Sequence, residues 1–272
     1  MIIIGEKING AIPSVAKAIA EKNEDWIRDL AKRQTECGAD YIDVCSSVPD
    51  RDAETLTWLI GLVEEVSDAK ISIDSPNADA IVEVMSCCRK PGLINSVSLE
   101  GNKIETIFPA IADTEWECIA LLCDNSRIPD SAEERLAIFE KVMEMAKSYG
   151  IPPKRLHIDP LVFSVGTKPE AFTGFAEVTK AIRAEYPEIH ITSGLSNISF
   201  GIPSRKTMNQ AFLTLARYFG MDSAIMDPTS RDMLGALYAT EVLMEEDLFC
   251  MEYMDAYKND RFGVKKSQPA GA

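Results

Sequence analysis

The chain has little of what metal and acid–base sites are usually built from: two histidines, His157 and His190, among 272 residues. None of its seven cysteines (Cys37, Cys45, Cys87, Cys88, Cys118, Cys123 and Cys250) forms a CxxC pair, and their number is odd. That argues against a disulfide framework and leaves no recognisable zinc spacing of His and Cys, so reduced thiols packed in a core are expected and no bound metal. Cations are scarce too, with 28 Lys and Arg against 43 Asp and Glu and a formal net charge of -15. Phosphate neutralisation needs clustered Lys and Arg, so nucleic acid is not an expected partner. No apolar run approaches the roughly 18 residues of a membrane span. Met1 to Ile4 is followed at once by Gly5, Glu6 and Lys7, which lacks the apolar region of a signal peptide. A cytoplasmic protein without membrane contact is expected.

What is present is an alternation. Short β-branched runs lie at residues 2–8, 41–45, 70–75, 93–97, 117–123, 156–159, 189–192 and 223–227. Between them lie segments with helical spacing at 25–36, 51–66, 78–85, 104–112, 131–149, 169–185, 206–219 and 232–244. Ser131 and Glu134 stand at capping-box spacing before one of these, and Gly150 closes it. Eight such units, about 34 residues apiece, with apolar strands and no long linker, predict a single closed α/β TIM (βα)8 barrel over 1–257. A doubly wound sheet would carry a GxGxxG after its first strand, and none is there. Residues 258–272 have little to pack and are expected to form a loose tail.

In such a barrel the C-terminal strand ends share one mouth. Here they carry Asn9, Asp43, Asp74, Asn95, Asp124, Asp159, Asn197 and Asp227. Any one of these serves equally well as a turn former or helix cap. Together they make a rim of carboxylates and amides without a His pair or a Ser/His dyad. That suits a flat heterocycle rich in N–H donors and C=O acceptors, with paired carboxylates on a guanidine-like edge.

GEKING at 5–10, ISIDSPN at 71–77, LINSV at 93–97, HIDPL at 157–161, GLSNIS at 194–199 and SRKTMNQAFL at 204–213 resemble the methyltetrahydrofolate:corrinoid-protein methyltransferase family. The same barrel is the folate module of cobalamin-dependent methionine synthase, and the likeness runs to about Tyr257. It implies a pterin-binding barrel of the dihydropteroate synthase-like type. Asp74, Asn95 and Asp159 match positions that bond the pterin ring, Asn197 the position near N5, Gly194 and Ser196 the backbone under the ring, and Arg205 an arginine at the mouth. It implies methyl transfer between N5 of tetrahydrofolate and a cobalamin supplied by a separate corrinoid protein, as in acetogenesis or methylamine and betaine demethylation. Family members are dimers, so a homodimer is expected, with apolar faces at 208–219 and on the last helix. Phe200, Gly201, Ile202 and Pro203 stand where the family has polar residues, which leaves open what completes the hydrogen bonding at N5. A dihydropteroate synthase is one alternative, sharing the barrel and an SRK triplet (Ser204, Arg205, Lys206), but its glycine- and serine-rich N-terminal loops are absent. A non-catalytic folate-binding scaffold is the other; Asn197 argues against it, because binding alone needs no group at N5.

Overall fold

Eight strands, all parallel, alternate with helices along the chain of this computed structural model, which describes residues 1–264. The strands are β1 Ile2–Asn9, β2 Tyr41–Cys45, β3 Lys70–Asp74, β4 Leu93–Leu99, β5 Glu117–Asp124, β6 Leu156–Asp159, β7 His190–Ile191 and β8 Ser223–Met226. Their order in the sheet is β7-β6-β5-β4-β3-β2-β1-β8. The ring closes between its ends, where Asp222 N donates to Ile191 O and Ile225 N to Ser193 O. An isolated parallel bridge from Gly194 to Ile225 completes that seam. The result is the single barrel that the alternation of short runs predicts.

The pleat sorts the side chains into two cores. Ile3, Ile42, Val44, Ile73, Ile94, Ala120, Ile158 and Ala224 face the helices and join one large apolar cluster. Ile4, Tyr41, Leu93 and Ile119, with Ile2, Leu121 and Ile225 against them, form a second, small cluster that fills the barrel interior. Burying such a side chain contributes about 1.5–3 kcal/mol. Polar residues occupy both ends of this apolar plug, and the upper end is the mouth.

The helices are α1 Pro13–Ala20, α2 Glu24–Glu36, α3 Asp52–Val66, α4 Ala78–Met85, α5 Lys103–Ile111, α6 Ala132–Ser148, α7 Ala171–Glu185, α8 Arg205–Phe219, α9 Arg231–Leu243 and α10 Met251–Lys258. The capping box at Ser131 and Glu134 is formed, and Gly150 closes α6 at φ +71°. Asn23 caps α2 and Asn77 caps α4. Helices α1 and α10 have no counterpart in the spacing analysis. The first residues of the expected tail, 258–264, are held against α9 and α10. Phe262 is buried among Tyr238, Tyr253 and Tyr257, and Arg231 bonds the carbonyls of Asp260, Phe262 and Gly263. The rest of that expected tail, 265–272, lies outside the described residues.

All seven cysteines are free thiols, but only Cys118 and Cys123 are buried, and Cys87 is exposed. Cys37 and Cys88, half-buried, also pack against the core, so core packing accounts for four of them. No helix among the described residues is long and apolar enough to cross a membrane.

Candidate functional site

The site is built from the pleat. On β2, β4 and β6 the inward residues Tyr41, Leu93 and His157 are followed two positions later by Asp43, Asn95 and Asp159, so the same face that plugs the barrel ends in polar groups. Asp74 ends β3 two positions after Ser72.

Asp43 is the hub. Its Oδ1 accepts from Ser72 Oγ at 2.5 Å and from Asn95 Nδ2 at 3.1 Å. One N–H of the Asn95 amide is thereby committed, which fixes the amide's orientation and turns its oxygen to present as an acceptor. Burial, and then the charge of Asp74, push the Asp43 carboxyl well above the usual range, against the two hydrogen bonds. Burial also pushes Asp74 up to about 6, although the Cys45 thiol donates to it. That thiol, itself pushed up to about 12 by burial and Asp74, keeps its proton and can donate.

Asp159 is 5% exposed and joins two strand ends: Leu161 N donates to its Oδ1 at 2.8 Å, and Gly194 N, after β7, bonds it as well. Burial pushes it up to about 6 against both bonds and the nearby Arg135 guanidinium. The mouth thus holds carboxyls that bind protons near pH 6, where an exposed aspartate would already be ionised.

Asn197 stands on a short 3-10 turn, Leu195–Ser199, and is exposed. The turn is clamped from outside: Arg205 Nε donates to Ser199 Oγ at 3.1 Å and its Nη2 to Ser196 O at 2.6 Å. Arg205, an expected mouth residue, therefore spends its guanidinium on the turn that carries Asn197. Ser196 supplies that carbonyl and borders a cavity of about 150 Å³ with Glu6, Asp227 and Asn209. Phe200 is 71% exposed beside Arg205, whose guanidinium lies 5.9 Å from the ring centroid.

Four of the eight strand-end residues make the turn-forming bond, Asp159 through Leu161 N among them. Asn9 accepts from Ala11 N, Asp124 from Ser126 N and Oγ, and Asp227 Oδ1 from Thr229 N and Oγ1. Asp227 Oδ2 also pairs with Lys7 at 3.3 Å. Two groups at the mouth escaped the sequence reading. Glu6 follows the inward Ile2 and Ile4 on β1, and burial, then the charge of Asp227, push it up to about 7. Asp52, at the start of α3, accepts from Ser46 Oγ and Ser75 Oγ and so ties the loops after β2 and β3 together. The pleat parity of β1 would have found Glu6; nothing in the sequence signals that Asp52 bridges Ser46 and Ser75.

Residues 7–227 match the family described as pterin binding enzyme. The chain belongs to that family. Within it, the chain is 49% identical over 266 residues, covering 97% of itself and 98% of the relative, to a methylcorrinoid:tetrahydrofolate methyltransferase of Eubacterium limosum. It is 30% identical over 241 residues to a methionine synthase of Mycobacterium leprae, of which it spans 20%. Among solved structures, a Yersinia pestis dihydropteroate synthase superposes with TM-score 0.66 at 16% identity, covering 90% of this chain and 94% of that one. A Xanthomonas albilineans dihydropteroate synthase gives 0.61 at 16%, covering 89% and 92%. At that identity the likeness is one of fold, the dihydropteroate synthase-like barrel of the pterin binding enzymes.

Proposed function

We propose that this member of the pterin binding enzymes is a methyltransferase acting between a corrinoid cofactor carried by a partner protein and N5 of tetrahydrofolate. The observation that carries the reading is the Asp43–Asn95 pair set among Asp74 and Asp159, with Asn197 exposed on a clamped turn beside them, in a chain 49% identical to a methylcorrinoid:tetrahydrofolate methyltransferase.

Asp74 and Asp159, once ionised, are pure acceptors and take the 2-amino and N3–H donors of the pterin. Asn95, its nitrogen held by Asp43, offers its oxygen to another ring N–H. Asn197 lies at N5, and its amide hydrogen bond grows stronger as charge changes there, so it acts on the transition state more than on binding. The corrinoid supplies the methyl group as an electrophile, or receives it. In the folate-methylating direction N5 attacks the methyl carbon, the cobalt–carbon pair stays with cobalt, and the N5 proton leaves. The barrel contributes alignment and control of that proton, with no covalent intermediate on the protein.

The open setting of Asn197 and the exposed ring of Phe200 support approach of a large partner to the mouth. Exposed Leu215 and Tyr218 on α8 and Leu243 on α9 support a homodimer through that outer face. Free thiols and the enzyme's substrates support a cytoplasmic location. The test is spectroscopic: methylcobalamin, tetrahydrofolate and the protein are mixed anaerobically. Loss of the methylcobalamin spectrum with formation of 5-methyltetrahydrofolate is expected. An unchanged spectrum with both free methylcobalamin and a methylated corrinoid protein would refute the reading.

A further inference from the structure

The opposite end of the barrel holds a second polar cluster that methyl transfer does not use. Glu117 opens β5, His190 opens β7, Ser223 opens β8, and His157 is the second residue of β6. Their side chains meet on the barrel floor, beneath the apolar plug. One carboxylate oxygen of Glu117, Oε1, accepts from Tyr41 Oη at 2.8 Å and from Lys70 Nζ at 3.0 Å. The other, Oε2, stands 3.0 Å from His157 Nε2, and the two imidazole centroids are 4.6 Å apart.

His157 Nδ1 lies 3.0 Å from Ser223 Oγ and its Nε2 3.0 Å from Glu117 Oε2, so both ring nitrogens of this buried imidazole face a polar partner. His190 completes the set: its Nδ1 bonds Asp222 Oδ2 at 2.9 Å, which leaves Nε2 as its available ligand atom. One ligand atom from each of Glu117, His157 and His190 lies within 4.8 Å of the others.

We propose that Glu117, His157 and His190 form a binding site for a divalent transition-metal ion of the zinc type on the barrel floor. Two imidazoles and a carboxylate are a zinc donor set, and the carboxylate on His190 and the hydroxyl on His157 are the outer partners that hold such imidazoles in the metal-binding tautomer. Tetrahedral bonds of about 2.0–2.1 Å put ligand atoms roughly 3.3 Å apart, so the Glu117–His157 pair needs only a slight opening and His190 a small inward turn. His190, with 27% of its side chain exposed, leaves the fourth position to water. The ion ties β5, β6 and β7 together where the ring is thinnest, since β7 has only two residues in register with β6.

Metal-free protein titrated with Co2+ tests this directly. Expected are one Co2+ per chain, visible d–d bands without a sulfur charge-transfer band, displacement by Zn2+, and a higher thermal midpoint with metal. His190→Ala and Glu117→Gln, each checked for folding by circular dichroism, should weaken uptake at least about tenfold, while Cys87→Ser leaves it unchanged. No uptake, a thiolate charge-transfer band, or uptake by the two ligand variants equal to that of the parent would overturn the site and leave Glu117 and His157 as a hydrogen-bonded pair.

Discussion

A Cβ built on Gly194 would stand 2.9 Å from Nδ2 of Asn197, closer than real side chains approach. The φ of Gly194 is -68°, so the glycine is required for space and not for backbone conformation. Asn197 is exposed and its amide can turn away, so Gly194→Ala should leave the fold standing and misplace the group proposed at N5. Methyl transfer in single turnover is expected to slow about tenfold or more, the scale of a lost transition-state hydrogen bond, with folate affinity within a few-fold. Asn197→Ala should give the same pattern. Calorimetric titration showing affinity and rate falling together would make Asn197 a ring-holding residue instead.

The bond from Asn95 to Asp43 makes a second prediction at a residue that need not touch the ligand. Asp43→Ala leaves Asn95 Nδ2 and Ser72 Oγ without their buried acceptor, and the amide is free to rotate. Affinity for tetrahydrofolate should fall roughly tenfold, about the worth of one hydrogen bond to a charged group. Asp43→Asn, which keeps an acceptor oxygen, should recover part of that loss. Fluorescence titration of both variants measures it, and unchanged affinity in the alanine variant would show that Asn95 orients itself.

The barrel was legible because its local signals agree. Period-two apolar runs, the capping box at Ser131 and the glycine at 150 all survive in three dimensions. The strand-end list was less selective, because an Asp or Asn there has two ways to be satisfied. Asp124 falls on the outward parity of β5, one place past Cys123, and takes the N–H and hydroxyl of Ser126. Asp43 and Asp159 fall on the inward parity and reach the mouth. Counting by twos from the barrel-filling residues would have set Asp124 aside and added Glu6, but it would have kept Asp227, two places past Ile225, which bonds Thr229 as a turn former does. The short helices α1 and α10, eight residues each, owe their place to tertiary packing more than to period, and the floor cluster joins residues 33 to 106 positions apart that no local pattern links.

Ligand binding should depend on pH through Asp74 and Asp159. Both are raised to about 6 in the free protein, and both must be ionised to accept from pterin N–H groups. Below about pH 6 the ligand must displace a proton, so affinity should fall by up to tenfold per pH unit for each carboxyl involved, and level off above about pH 7. Calorimetry from pH 5 to 8 in buffers of different ionisation enthalpy would count the protons released. A flat profile would mean that neither carboxyl meets the ligand as an acceptor.

Glu6 lets the same physics be read in stability. Its carboxyl is raised to about 7, by burial first and by Asp227 second, while Lys7 and Arg205 oppose the shift. A carboxyl whose folded pKa lies above its unfolded value of 4.5 adds stability that is whole below pH 4.5 and is lost as pH rises through 7. Above that range, folding must hold an ionised carboxylate in a poor solvent. Glu6→Gln keeps the shape and removes the charge, so it should be more stable than the parent at pH 8 by on the order of 1–3 kcal/mol, with the difference gone near pH 4. Urea unfolding at the two pH values measures both ends. A difference that is the same at pH 4 and pH 8 would assign the effect to packing, because only a titrating carboxyl makes it vanish on the acid side.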